Sequence, residues 1–366
     1  MASDALATRV REAARRCTTA VSGQPPPTPA QAFVDLARVC GELGIEEWDS
    51  YGAGGAVTLL EDDLVERFGI EAAAYFPSGV MAQQAALRVH CDRAGSRRVA
   101  MPDLSHLLVH EEDGPRILQQ LEIVFLTRGF VAPTSAHLDA VPGRLGAVLA
   151  ELPLRDAGCL LPTWDQLVEL AAACRAREVA LHLDGARIWE SQPWFDRPLA
   201  EIAGLADSMY VSFYKGLGGL AGAALLGTTE FIAEARLWRR RLGGTLFRTT
   251  PEAVTALAGL RDRLPLIPQT VAWARELVAA LPPELAAQPA MPQTNQFLVF
   301  ASGDADAVNE RTVAAIEERQ VGLPAWSPTE QPGRIRCEIG VSPAALSLDP
   351  AEMASLLADL VRPQSE

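Results

Sequence analysis

Short, largely apolar runs alternate with segments of helical period along the first two-thirds of this chain. AAAYFP (72–77), RRVAMPD (97–103), EIVFLT (122–127), LGAVLAELP (145–153), EVALHLD (178–184), SMYVSFY (208–214) and GAALLG (222–227) read as strands. Between them, apolar positions recurring every three to four residues predict helices over 78–92, near 106–112 and over 164–177. Strands alternating with helices in this way indicate an α/β domain on a mostly parallel sheet. Upstream, residues 1–20 have a helical pattern that ends in a GQPPPTP breaker (23–29). AQAFVDLARVCGELG (30–44) is an amphipathic helix, and YGAGGAVTLLEDDLVERFG (51–69) is a glycine turn running into another.

Past GGTLFRTTPEAV (243–254) the pattern changes. One long helical stretch is predicted over 250–282, and the prolines of 282–292 read as a linker. NQFLVFAS (295–302), a helix over 305–319 and RIRCEIGVS (334–342) then suggest a smaller α+β unit. The expected organisation is an N-terminal arm with helices over 1–45, a large α/β domain over 46–250 and a small C-terminal α+β domain over 251–366.

Composition narrows the function classes. A formal charge of -14 and a pI near 4.9 argue against nucleic acid, whose phosphates require a cationic surface, and against anionic membranes. No run approaches the ~20 apolar residues of a membrane span, and Asp4 and Glu12 interrupt any signal-peptide core. The six cysteines, scattered without C-x-x-C spacing, read as reduced thiols of a cytoplasmic protein.

One residue stands out against the composition. Lys215, in SFYKGLGG (212–219), is the only lysine; the remaining 31 of the 32 Lys+Arg are arginine. Arginine replaces lysine at most surface positions but stays protonated, whereas a desolvated ammonium can lose its proton and act as a nucleophile. Thirty-one residues upstream, in LHLDGARIWE, Asp184 ends an apolar strand, where open α/β sheets bind ligands. Read alone, Asp184 could equally cap the following helix. An amine and a carboxylate at such strand ends match the needs of pyridoxal 5'-phosphate (PLP): the lysine holds its carbonyl and the aspartate keeps the pyridine nitrogen protonated. His106 and His110 stand four apart as zinc ligands can, but with no Glu beside His106 and no third ligand in view, no metal is expected. GAGGAV (52–57) resembles a dinucleotide turn but follows EEWDS, which is no buried strand.

With YGAGGAVTLLEDDLVERFGIEAAAYFPSGVMAQQ, HLDGAR and KGLGGLAGAALLG in this order along the chain, the sequence resembles the threonine aldolase branch of the β-eliminating lyase family from Tyr51 to Val341. That resemblance implies the aspartate aminotransferase fold of PLP enzymes (fold type I), with a large sandwiched sheet and a small C-terminal domain. It implies Lys215 as the Schiff-base lysine, Asp184 as the pyridine partner and His106 stacked on the ring, where it or a water it positions is the base. Ser78, Gly79 and Val80 match the phosphate-binding helix start, though the family's usual threonine is Val80 here. Arg187 and Arg334 match the arginines that hold the substrate carboxylate, with Arg336 an alternative on the same strand face and Ser22 a stand-in for an N-terminal motif. Arg240 matches a basic residue that reaches a neighbouring subunit's phosphate. The family's ENTHN is ELPLRD (151–156) here, which removes a histidine that contacts the substrate hydroxyl and leaves Arg155 nearby. The implied activity is cleavage of threonine or allo-threonine to glycine and acetaldehyde by a homodimer or homotetramer with interfacial sites. β-Elimination, glycyl transfer and a non-catalytic role are the alternatives.

Overall fold

The computed structural model describes residues 2–23 and 27–362, and the chain divides into two compact units. The larger, Ala30–Pro265, is built on seven strands: β1 (Ala72–Phe76), β2 (Arg98–Met101), β3 (Glu122–Phe125), β4 (Ala147–Glu151), β5 (Ala180–Gly185), β6 (Ser208–Ser212) and β7 (Ala223–Gly227). Their spatial order is β1-β7-β6-β5-β4-β2-β3. β7 runs antiparallel to both neighbours, while every other pairing is parallel. Every residue of β4 and β6 is buried. Strands covered on both faces lose the in-out alternation, which is why these two read as largely apolar runs without a period of two.

The helices α1 (Gly55–Phe68), α2 (Gly79–Ala94), α3 (His106–Val109), α4 (Trp164–Ala176), α5 (Ile188–Phe195), α6 (Thr229–Arg241) and α7 (Thr250–Asp262) lie in the same unit. Ser78 starts α2 by accepting from the Met81 N–H (3.4 Å), and Gly95 ends it in the left-handed region at φ 63°. Its alanines (Ala82, Ala85, Ala86) let it lie close on Phe76, Tyr210 and Phe231. Burying a phenylalanine such as Phe231 contributes about 1.5–3 kcal/mol.

Several elements differ from expectation. The helix near 106–112 stops at Val109, because Glu112 and Asp113 turn the chain through φ 46° and 59° into a separate helix, Gly114–Gln119. The long stretch from 250 is broken into α7, a 3-10 turn (Leu264–Leu266) and a helix Ile267–Ala279. Pro265 and Pro268 lack the N–H that a continuous helix needs and clash with its preceding turn. The larger unit therefore runs past 250 to Pro265. Asp49 holds α7 there, accepting from the Thr249 N–H (2.8 Å), the Thr249 hydroxyl (3.0 Å) and the Thr250 hydroxyl (2.7 Å).

The smaller unit comprises the N-terminal residues through Pro29 and the chain from Leu266 onward. The expected arm is therefore part of this unit: Val10, on the helix Ala2–Ala14, enters a core with Trp273, Phe297 and Trp326. Strands β8 (Ala286–Gln288), β9 (Gln296–Ser302), β10 (Trp326–Pro328) and β11 (Arg334–Gly340) form an antiparallel sheet ordered β10-β11-β9-β8. The proline-rich segment read as a linker thus contributes an edge strand, a place where proline is tolerated.

Candidate active site

Three strands end side by side with ionisable groups. Glu151 at the end of β4 is in register with Asp184 on β5, and Asp184 with Tyr210 on β6. Lys215 follows β6 by three residues. Adjacent strands lie about 4.8 Å apart, so the two carboxyls gather along the edge formed by the carboxyl ends of these central strands, and the field of Lys215 acts on both.

Close packing fixes this edge. A Cβ on Gly79 would fall on the Tyr210 hydroxyl, and one on Gly216 would fall on the Glu190 carboxylate. Hence the start of α2 and the turn after Lys215 both require glycine. The Trp189 indole N–H donates to the Ser212 carbonyl (3.0 Å), tying α5 to the end of β6. Arg187 donates to the fully buried Glu190 (2.9 Å), which fixes its orientation.

The electrostatics follow from burial. Desolvation lowers the Lys215 pKa from its ordinary value; Arg187 adds to the effect, while Asp184, Glu151 and Glu190 oppose it. A larger share of its amine is therefore neutral and nucleophilic. Burial raises Asp184 above the usual carboxylate range, against the Lys215 charge, the Ala186 N–H (2.9 Å) and the Gln83 side chain. Glu151 is pushed up to about 8 by burial and by the like charge of Asp184.

Glu151 also organises His106. Its Oε1 accepts from the Ser105 hydroxyl (2.7 Å) and from the His106 N–H (2.6 Å) at the start of α3. The His106 Nε2 lies 3.0 Å from Glu111 Oε1. Burial, and then the nearby Lys215 charge, lower the His106 pKa to about 4, so its ring is neutral at pH 7. Neither glutamate was singled out from the sequence. The strand-end rule that selected Asp184 would also have selected Glu151; nothing linear marks Glu111.

Other expected site residues are placed as follows. Ser78, Gly79 and Val80 open the 16-residue α2, whose first N–H groups have no acceptor within the helix and form an anion site. Gln83, one turn further, bonds Asp184, so this helix start belongs to the same edge. Arg240 is exposed and borders a separate cleft of about 420 Å³ with Tyr51, Gly243 and Thr245. Its neighbour Arg239 is buried and donates to the Tyr75 carbonyl.

Ser22, Arg334 and Arg336 lie in the smaller unit. Arg334 and Arg336 are exposed on one face of β11. Arg334 donates to Gln331 (3.4 Å) and lies over the Phe300 ring. The Ser22 hydroxyl accepts from the Gly340 N–H (2.9 Å) and donates to the Glu338 carbonyl (3.4 Å). Arg155 and Asp156, in the segment that replaces ENTHN, are 3.6 Å apart.

This donor set fits PLP: a desolvated amine, a buried carboxylate on the next strand, an anion-binding helix start, and a His106 Nδ1 that is buried without a hydrogen-bond partner. Fold and site together define a PLP-dependent enzyme of fold type I.

The β-eliminating lyase family model matches residues 42–303, and the chain belongs to that family of PLP-dependent lyases. Among solved structures, a protein from Listeria monocytogenes provisionally described as an L-allo-threonine aldolase superposes with TM-score 0.90 at 31% identity over 97% of this chain and 99% of that one. A protein of Exiguobacterium sp. 255-15, provisionally an aromatic amino acid β-eliminating lyase/threonine aldolase, gives 0.89 at 33% identity over 96% and 99%. The low specificity L-threonine aldolase of Escherichia coli K12 is 28% identical over 62% of this chain and 70% of its own. No helix among the described residues is long and apolar enough to cross a membrane.

Proposed function

We propose that the protein is a PLP-dependent aldolase that cleaves β-hydroxy-α-amino acids, threonine and allo-threonine, to glycine and acetaldehyde. The observation that carries the reading is the convergence of the desolvated Lys215 amine with Asp184 and with the neutral His106 ring, which has Glu111 beside it. Lys215 would hold the cofactor carbonyl, Asp184 would serve the ring nitrogen, and Ser78, Gly79 and Val80 would receive the phosphate. When bound, PLP supplies an electron sink for the pair released from the broken Cα–Cβ bond.

The chain's own residues do the rest. Arg187 holds the substrate carboxylate and so orients the Cα–Cβ bond for cleavage. His106, backed by Glu111, takes the β-hydroxyl proton as the aldehyde leaves, and Cα regains a proton to give glycine. Arg240 reaches the phosphate of a neighbouring subunit in a homodimer or homotetramer. The exposed Trp48, Tyr51, Leu246 and Phe247, at or near Arg240's cleft, suit such an interface. The absence of any disulfide among the six described cysteines suits a cytoplasmic setting.

Acetaldehyde release from the four threonine stereoisomers tests the aldolase reading, and none from PLP-saturated enzyme refutes it. One observation favours a second reading, β-elimination or glycyl transfer on the same cofactor: ELPLRD lacks the histidine of the family's ENTHN and leaves Arg155 nearby. Pyruvate and ammonia in place of glycine distinguish elimination, and a new β-hydroxy-α-amino acid formed with an added aldehyde distinguishes glycyl transfer.

A further inference from the structure

His106 belongs to a second constellation that the aldolase reading does not use. His106, His110 and Asp156 each offer one ligand atom, and these atoms lie within 4.8 Å of one another. The residues come from two places: the two histidines from α3 and its C-terminal end, and Asp156 from the 3-10 turn Arg155–Ala157. The His110 Nε2 is 2.9 Å from Asp156 Oδ2, and the two imidazole centroids are 4.8 Å apart. Tetrahedral zinc, with spokes near 2.0–2.1 Å, sets its donors roughly 3.3 Å apart. Closing from 4.8 Å is within the reach of side-chain rotation. All three side chains are part-exposed, between 22% and 36%, so an ion can enter.

We propose that His106, His110 and Asp156 bind a divalent transition ion, zinc or cobalt(II), with water completing the shell, and that occupancy inhibits the enzyme by taking His106 from the reaction. Two imidazoles and one carboxylate form a donor set that such ions accept. Glu111, 3.0 Å from the His106 Nε2, stands ready as a further oxygen donor. The inhibitory half rests on the role given to His106 above; the binding half does not.

The test uses the cofactor-loaded protein, stripped of metal with a chelator and titrated with cobalt(II). One equivalent should produce a visible d–d absorption band, and aldolase activity should fall with the same midpoint; zinc should displace the cobalt. His110→Ala and Asp156→Asn lie outside the proposed catalytic set. Each should keep basal activity, weaken binding at least about 100-fold and abolish inhibition at the wild-type midpoint. Absence of the band, or a band unchanged in both variants, overturns the site. A band lost in both variants without inhibition of wild type overturns the inhibitory half. A protein that binds cobalt in this way but never releases acetaldehyde sinks the aldolase reading and leaves the site standing.

Discussion

Replacing Glu151 by glutamine should make the protein more stable as pH rises. The carboxyl is 3% exposed and shares the sheet edge with Asp184. Its folded value is about 8, against an unfolded value near 4.3. Between these values the folded chain holds a proton that the unfolded chain has lost. Stability therefore falls with rising pH, by about 1.4 kcal/mol per unit. This contribution is fully present below about pH 4 and exhausted above about pH 8. Glutamine keeps the oxygen that accepts from Ser105 and from the His106 N–H, but it cannot ionise. The stability difference, variant minus wild type, should move in favour of Glu151→Gln by about 3 kcal/mol between pH 5 and pH 7.

Urea unfolding of both proteins across that range, followed by tryptophan fluorescence, measures the difference. Other titrating groups cancel in the subtraction, apart from Asp184 and Lys215, which feel the Glu151 charge directly. Glu151→Ala is the control. It strands a buried hydroxyl and an N–H at about 1–3 kcal/mol each, so it should destabilise at every pH. A difference between Gln and Glu that is flat from pH 5 to pH 7 would falsify the assignment of a buried protonated carboxyl.

Lys215→Ala should leave no PLP covalently attached after borohydride, read by intact mass; wild-type incorporation refutes the assigned lysine. Gly79→Ala pushes a methyl onto the Tyr210 hydroxyl and should lower stability by about 1–3 kcal/mol. Adding Tyr210→Phe should restore part of the loss, and thermal melts of the single and double variants give the answer. Because His106 is held near 4, the acidic limb of kcat/KM should lie near pH 4 rather than near 6.5, and it should vanish in His106→Phe; a limb near 6.5 in wild type speaks against the assignment.

Much of the larger unit's architecture was legible from local pattern. Its seven strands were marked by apolar runs flanked by turns, and the α/β character followed from their alternation with helices. Prolines were visible too, yet the break at Pro265 and Pro268 was outweighed by the apolar period on both sides. The short α3 was overextended because nothing in HEEDGP states that Glu112 and Asp113 adopt positive φ. That the N-terminal helix joins the unit formed by the end of the chain depends on contacts across some 300 residues, which no local period encodes.

The candidate site divides in the same way. Lys215 and Asp184 could be picked out in the sequence because composition and strand-end position act along the chain, and because the motifs around them sit in order. The sequence by itself thus determined the fold class, the family and the pair of groups that fit the cofactor. Only the tertiary structure decided that Glu151 shares their sheet edge and seats His106, that Glu111 backs its ring, and that Asp156 meets His110. Register between parallel strands and the meeting of separate turns are set by packing, and a pKa is set by desolvation and by charges distant in sequence. Those quantities exist only once the chain has folded.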